Sequence, residues 1–456
     1  MHLILIALFL FLTFSMIIKG CSGSDIENVN PLDKLPQTQN PNDTPSNPSL
    51  SNVVSSASIG ITGSLYIQDS YLQAALTESG NYDFSAGLST ITHSYASYDY
   101  MIGHLETTLG GTEAGEYTGK DRFNSPDAVV TAAKNAGIDM LVTANNHSYD
   151  TGSAGLIRTQ NTLSQFGIDY TGTRLSPDAP NYFIKEINGI KIGMVSYTFE
   201  SGDQANGTMT LNKLPVSNED ADLINTFNYS KSEPFYNEAK AAKEAMKTAG
   251  ADFTIFFIHW GNEYDLKPSA TQKKIAQNLC NMGYDFIIGS HPHNVQSMEL
   301  LTSEDGSTKT YCLYSVGNAI SAQRRHNTNL SPKGYTEDGI ILGIKFELLK
   351  DGTVQIANIN ATPLWTDEAI IDNRTVYTII PVDVSYNFFP ALGTFADCVN
   401  GVIDPNREPF QMETYAPSDQ TQISASYTRT MDIVLTGLNN CRQALGLKPI
   451  SNISGN

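Results

Sequence analysis

The feature that most narrows what this chain can fold into is a helix-to-strand unit that occurs three times. Ala128 to His147 (AVVTAAKNAGIDMLVTANNH), Ala241 to His259 (AAKEAMKTAGADFTIFFIH) and Thr271 to His293 (TQKKIAQNLCNMGYDFIIGSHPH) each run a helical apolar pattern into a glycine, then an aspartate, then a short apolar run. Gly137, Gly250 and Gly283 stand where a helix C-cap needs the left-handed conformation that glycine adopts cheaply. The apolar runs are short and nearly continuous, which predicts strands buried on both faces of a largely parallel sheet. Ligands of such sheets sit outside the carboxyl ends of the strands. Counted from its glycine, each unit delivers its first polar residue at the same end of its strand: Asn145 at +8, His259 at +9 and His291 at +8.

His147, His259, His291 and His293, four of the eight histidines, thus converge on one edge. Neutral imidazole together with amide or carboxylate oxygen suits zinc, manganese or iron, so the edge is expected to hold a metal or a phosphate. A lone histidine is more often a satisfied core or surface residue, and a purely structural edge would have these rings bonded to backbone carbonyls. Pro292 stiffens the turn between two potential ligands. Two further segments read as strands reaching the same edge: Tyr98 to Leu105, and Tyr311 to Ile320 with Gly317-Asn318 near its end. Glu106, the only carboxylate between Tyr100 and Thr112, is the candidate bridging acid, or else a solvated loop acid. Asp150 is placed to orient the His147 ring or to cap a helix. Glu263 reads as a base, an outer acid or an exposed loop glutamate.

These residues carry a resemblance. Asn145-Asn146-His147 with Asp150 and Gly152, His259-Trp260-Gly261-x-Glu263-Tyr264, Gly289-x-His291-Pro292-His293 and Tyr314-Ser315-x-Gly317-Asn318 together resemble the CapA family of bacterial capsule and poly-γ-glutamate synthesis proteins. That family looks like a divergent branch of the calcineurin-like metallophosphoesterases, and the resemblance covers about Ser58 to Val382. It implies a four-layer α/β/β/α sandwich with one or two divalent ions (Mn, Zn or Fe) at the strand ends. It further implies that Glu106 bridges the metals, that Asn146, His259, His291 and His293 ligate them, and that His147 protonates the leaving group. Asp150 and Glu263 join His147 as catalytic candidates, while Ser64, Asn145, Trp260 and Asn318 are expected to line the site. One departure stands out: the family's first strand ends in Gly-Asp, whereas here it reads Gly63-Ser64, and a serine brings no charge to offset a cation. Asp69 could substitute only if its loop folded back. His104 replaces the asparagine of the Asn-Leu-Glu motif.

Leu3 to Ile18 is an apolar run too short for a comfortable membrane span, and a secretory leader over 1–20 is expected. Gly20-Cys21 resembles a lipobox, which would make Cys21 a lipidated N-terminus anchored to the extracellular face of a bacterial membrane; an uncleaved anchor is the alternative. Residues 21–52, polar and bearing five prolines, read as a tether. The folded body is expected over 53–386, with hairpins at Asn188-Gly189 and Lys350-Asp351-Gly352 in the second sheet of the sandwich. The polar stretch Glu200 to Asn237 is the expected lid. Residues 387–456 are expected to be an accessory segment with an amphipathic helix over Met431 to Leu445, forming a C-terminal helical appendage. Cys280 and Cys312 read as core thiols.

With 28 Lys+Arg against 47 Asp+Glu the net charge is −19, which excludes a nucleic-acid partner. Two functions fit: a metal-dependent hydrolase acting on a phosphoester or on an amide of an acidic cell-envelope polymer alongside capsule-synthesis machinery, or a non-catalytic protein that holds such a polymer in the same cleft. The acidic surface would repel polyglutamate, so the cleft needs local positive charge.

Overall fold

The computed structural model describes residues 52–201, 208–325, 335–371, 373–382 and 417–450. The leader, Cys21, the tether up to Ser51 and the boundary near 386 lie outside the described residues. The three recurring units fold as their sequences require. Gly137, Gly250 and Gly283 follow the helices Ala128–Ala136, Ser232–Thr248 and Ala270–Asn281 with φ of 104°, 86° and 84°. The aspartate two residues on does the same work each time: it accepts a backbone N–H from the start of a neighbouring strand. Asp139 takes that of Met101 (2.8 Å), Asp252 that of Lys191 (2.7 Å) and Asp285 that of Thr254 (2.9 Å).

The chain builds half of one sheet, then a second sheet, then completes the first. The strands β1 (Val53–Tyr66), β2 (Tyr100–Leu105), β3 (Met140–Val142) and β4 (Asp169–Thr171) pair in that order, all parallel. The second sheet follows with β5 (Tyr182–Ile187), β6 (Ile190–Phe199), β7 (Thr226–Phe227), β8 (Phe253–His259), β9 (Phe286–Ser290), β10 (Met298–Thr302) and β11 (Lys309–Leu313). Its order is β7-β6-β8-β9-β11-β10, parallel until β10, with β5 antiparallel on β6. The chain then returns to the first sheet through β12 (Asn318–Ser321), parallel to β1, and the antiparallel β13 (Asp338–Leu349), β14 (Val354–Ile371) and β15 (Arg374–Pro381).

Side chains alternate across each strand, so both faces of both sheets are covered. Ile59, Ile61, Ile102 and Met140 meet Met194, Ile255, Phe257 and Ile288 between the sheets. Met101 and Leu141 pack outward on Val129, Val130 and Ala133. Val195, Phe256 and Ile287 pack outward on Ala239, Ala276 and Leu279. The result is the expected four-layer α/β/β/α sandwich.

Two expectations change. Tyr311 to Ile320 is not one strand: β11 lies in the second sheet and β12 in the first, and the chain crosses between them at Gly317, with φ 69°. Only glycine fits opposite, because a Cβ on Gly63 would lie 2.2 Å from the Gly317 carbonyl oxygen. The hairpin turning at Lys350-Asp351-Gly352 belongs to the first sheet, since β13 pairs with β1. The other hairpin joins the second sheet through Asn188 and Gly189, both at positive φ.

The helix Pro417–Ala444 takes in the expected amphipathic segment from Met431, stopping one residue short of Leu445, and adds Ile423, Tyr427, Met431, Val434, Leu438 and Cys441 to the inter-sheet core. Their i, i+3 and i+4 spacing puts them on one face. Arg429 clamps the buried Asp338 with two bonds of 2.9 and 2.8 Å, and Ser426 adds a third at 2.7 Å. Cys280 and Cys312 are buried free thiols. Among the described residues no helix is long and apolar enough to cross a membrane.

Candidate metal centre

The carboxyl ends of strands from both sheets meet at one place. The first sheet supplies Ser64 from β1, Glu106 just after β2, and Asn146 with His147 after β3; the second supplies His259 from the end of β8 and His291 and His293 after β9. The site therefore lies between the two sheets rather than along the edge of one.

Glu106 is the pivot. Its Oε1 lies 3.5 Å from His259 Nε2 and 3.6 Å from His293 Nε2, and the side chain is buried. Among the described residues neither carboxylate oxygen makes a well-formed hydrogen bond, the Ser64 hydroxyl being the nearby donor, nor does His293 Nε2. On one side of Glu106, Asn146 Oδ1 is 2.7 Å and His291 Nδ1 3.1 Å from His259 Nε2. The ligand atoms of Glu106, His259 and His291 all lie within 4.8 Å of one another. An isolated buried carboxylate is strongly disfavoured, so a cluster of unpartnered oxygen and nitrogen atoms facing one point fits a divalent cation. The chemistry of the donors, imidazole with carboxylate and amide oxygen, suits zinc, manganese or iron.

The outer contacts fix which nitrogen faces inward. His293 Nδ1 lies 2.9 Å from Asn318 Oδ1, an acceptor, so the ring donates there and leaves Nε2 as a lone pair toward Glu106. His259 Nδ1 is held by Ser290 Oγ at 2.9 Å, which likewise turns Nε2 inward. Both His291 and His293 hold backbone at positive φ, 94° and 55°, a conformation costly outside glycine that tends to mark functional turns.

Electrostatics agree with the geometry. Burial pushes the Glu106 carboxyl up, opposed by the His293 and His147 imidazoles. Burial and the neighbouring imidazoles push His259 and His291 well below the usual histidine range, which keeps them neutral as metal ligands must be. His104, buried beneath with Nε2 unpartnered and its ring edge-to-face with Phe257, is pushed down to about 3 by desolvation.

His147 stands beside this cluster, not in it. Its Nδ1 donates to Asp150 Oδ2 at 2.6 Å, so Asp150 orients the ring rather than capping the next helix, where Thr151 is the N-cap. Asp150 is held in turn by the Phe123 N–H (2.7 Å), by Asn212 Nδ2 (2.9 Å) and by Arg122 at 3.6 Å. Tyr66 stacks on Phe123 and tilts against His293, forming an aromatic wall.

The remaining sequence-based candidates fall in different places. Asn145 shapes the turn, accepting the His147 N–H and donating to the Leu105 carbonyl. Asn318 sets the His293 tautomer. Ser64 is buried in register with His104 and Asn318, and Asp69 is exposed and bonded to the Gly119 N–H, so Asp69 does not take the serine's place. Glu263 is an exposed rim residue. Trp260 is wholly buried in the helix-side core, donating to the Tyr314 carbonyl, and does not line the cleft.

Several residues that contact the centre or the His147–Asp150 pair carry no local signal of that role in the sequence: Arg122, Phe123, Tyr66, Ser290 and above all Asn212. The last sits at the tip of a two-residue hairpin between Thr210–Leu211 and Leu214–Pro215, inside the stretch expected to form a lid. Asn212 and Lys213 both have positive φ, as a tight hairpin turn demands, and Asn-Lys between short strands signals that turn alone.

Residues 58–323 match the family model described as bacterial capsule synthesis protein PGA_cap, more than half of the chain. The chain belongs to this family. Among curated PGA_cap relatives it is 26% identical over 304 residues to the capsule biosynthesis protein CapA of Bacillus anthracis, covering 63% of this chain and 64% of that one. It is likewise 26% identical over 281 residues to the PGA biosynthesis protein CapA of Bacillus subtilis (strain 168), covering 60% of this chain and 63% of the other. The chain thus spans somewhat less than two thirds of either relative. A solved structure of Haemophilus influenzae NAD nucleotidase (NadN) aligns with TM-score 0.40 and 12% identity over 83% of this chain and 63% of its own; the fold assignment rests on the two sheets and their helices, not on that likeness. The expected family membership is thereby established, and of the motif residues that carried it Asn146, His259, His291 and His293 gather around Glu106.

Proposed function

We propose that this protein is a divalent-cation-dependent hydrolase that cleaves a phosphoester or an amide in an acidic cell-envelope polymer, in the service of capsule or poly-γ-glutamate synthesis at the bacterial surface. The observation that carries the reading is the buried, unpartnered Glu106 carboxylate flanked by His259 and His293, with a histidine–aspartate pair alongside. Glu106, Asn146, His259 and His291 would hold one cation, and Glu106 with His293 a second. When bound, such cations supply Lewis-acid stabilisation of developing charge and lower the pKa of a water.

The chain's own residues do the rest. His147, with Nδ1 committed to Asp150, presents Nε2 to the cleft and can hold a proton for the leaving group. Tyr66 and Phe123 pack against the His147 ring, and Phe199 packs against His259 and His291, which keeps water from the ligand edge. The polymer assignment rests on the relatives, whose names place them in capsule and PGA biosynthesis.

Ser64 favours a second reading, a polymer-holding protein without turnover, because the His293 side of the centre has only Glu106 for negative charge. The deciding experiment is hydrolysis of an aryl phosphate and of γ-glutamyl oligomers by the purified protein, with chelator and with added manganese or zinc. Cation-dependent turnover of either is expected. Bound cation without turnover on either substrate supports the holding function instead.

A further inference from the structure

Among the described residues Arg174 is a guanidinium without an ion pair, in a chain of net charge −19. It follows β4, at the same carboxyl end of the first sheet that carries the candidate centre, where residues 172–174 bridge to residues 223–225 beside the second sheet. Its only side-chain hydrogen bond among the described residues runs from Nη1 to Asn225 Oδ1. Nε is buried and has no partner. Desolvation lowers its pKa, with Tyr197, Glu238 and Asp222 opposing from a distance and none forming an ion pair with it.

Most other arginines near the body of the fold are matched. Arg122 faces Asp150, Arg158 Asp127, Arg324 Glu368, Arg325 Glu337 and Arg429 Asp338. Arg174 also lines two neighbouring cavities, of about 510 and 670 Å³. The larger is edged by Glu200, Asp222 and Glu238, which disfavour an anion. In the smaller the acid is Asp169, and it is already bound by Lys185 at 2.7 Å and by the Tyr100 hydroxyl at 2.7 Å. That leaves Arg174 as the charge lining that cavity without an ion pair among the described residues. The edge formed by Nε–H and Nη2–H is the side of a guanidinium that takes a carboxylate through two parallel bonds, and it is this edge that the protein leaves unused.

We propose that the smaller cavity is a carboxylate subsite, in which Arg174 grips one carboxylate of the acidic polymer while another part of the chain lies at the strand-end centre. The identity of the ligand rests on the function proposed above; the vacancy on the guanidinium does not. Such a subsite supplies the local positive charge that binding a polyanion to an acidic protein requires.

The test is binding of a γ-glutamyl pentamer to the full-length protein by isothermal titration calorimetry in chelator, so that cations at the centre do not contribute. Wild type is expected to bind, Arg174→Gln roughly tenfold or more weakly, and Arg174→Lys in between, since lysine keeps the charge but not the fork. Near-ultraviolet circular dichroism verifies that each variant is folded. Equal binding by wild type and Arg174→Gln, no binding by wild type, or binding of inorganic phosphate alone would overturn the subsite. Cation content of the wild-type protein, measured separately, reports on the centre: bound cation with no Arg174 effect rejects only the subsite, and absence of cation rejects the reading of the centre.

Discussion

Glu106→Gln separates two costs that the wild-type carboxylate combines. In the cation-free protein Glu106 is buried, with the His259 and His293 imidazoles and the Ser64 hydroxyl nearby but no well-formed hydrogen bond to either oxygen among the described residues. Gln keeps a buried polar group but removes the charge, so only the excess cost of burying a charge over a neutral group is relieved, and the amide should stabilise the chelator-treated fold by roughly 1 kcal/mol. Burial raises the Glu106 pKa, so the folded state holds this proton more tightly than the unfolded chain does. The wild-type protein therefore loses stability relative to Glu106→Gln as pH rises through the ordinary carboxylate range, and the gap is widest toward neutral pH. With cation the order reverses. A ligand at a hundred times its Kd stabilises wild type by about 2.7 kcal/mol, and the amide, which offers no charge, should gain far less. Urea unfolding of both proteins at pH 5 and pH 7.5, with chelator and with manganese or zinc, measures both effects. Destabilisation of Glu106→Gln in chelator, or equal stabilisation of both proteins by cation, would refute the reasoning.

Other substitutions probe the neighbouring parts. His147→Ala should abolish turnover while leaving cation content unchanged in elemental analysis, because His147 bonds Asp150 and stands outside the ligand cluster. Asn212→Ala removes a bond to Asp150 and should lower kcat roughly tenfold with little change in KM, since Asn212 braces the dyad from the hairpin tip. Ser64→Asp puts a carboxylate beside Glu106 and His104 and should tighten the second cation, on the His293 side, read as a lower Kd in a metal titration. His104, neutral in the fold down to about pH 3, gains its proton near pH 6.5 once unfolded. The folded state is thus destabilised as pH falls from 6.5 toward 3, and His104→Asn should flatten that part of the stability profile in thermal melts.

Local chemistry made much of this legible in the chain. Glycines at three helix ends, aspartates two residues later and continuous apolar strands gave the βα architecture, because each is a short-range requirement. The histidines announced the site because they recur at fixed distances from those glycines. Distribution of strands between sheets was not legible. Ala128 to His147 and Ala241 to His259 look alike, yet β3 and β8 belong to different sheets, a consequence of pairing over long sequence separation. The same blindness made Tyr311 to Ile320 one strand, although Gly317 turns the chain from one sheet to the other. Trp260 sits next to His259 in sequence, but strand alternation sends it to the opposite face, into the helix-side core. Asn212 and Arg122 reach Asp150 from segments distant in sequence, and no pattern local to either foretells it.

Every role proposed for the strand-end residues depends on a cation at Glu106. A crystal structure of the protein grown with manganese or zinc, with anomalous data collected at the metal edge, tests this most directly. The predicted result is a peak enclosed by Glu106, Asn146, His259 and His291, absent from crystals of Glu106→Gln. No peak at full metal loading, or one bound only at surface carboxylates, would contradict it.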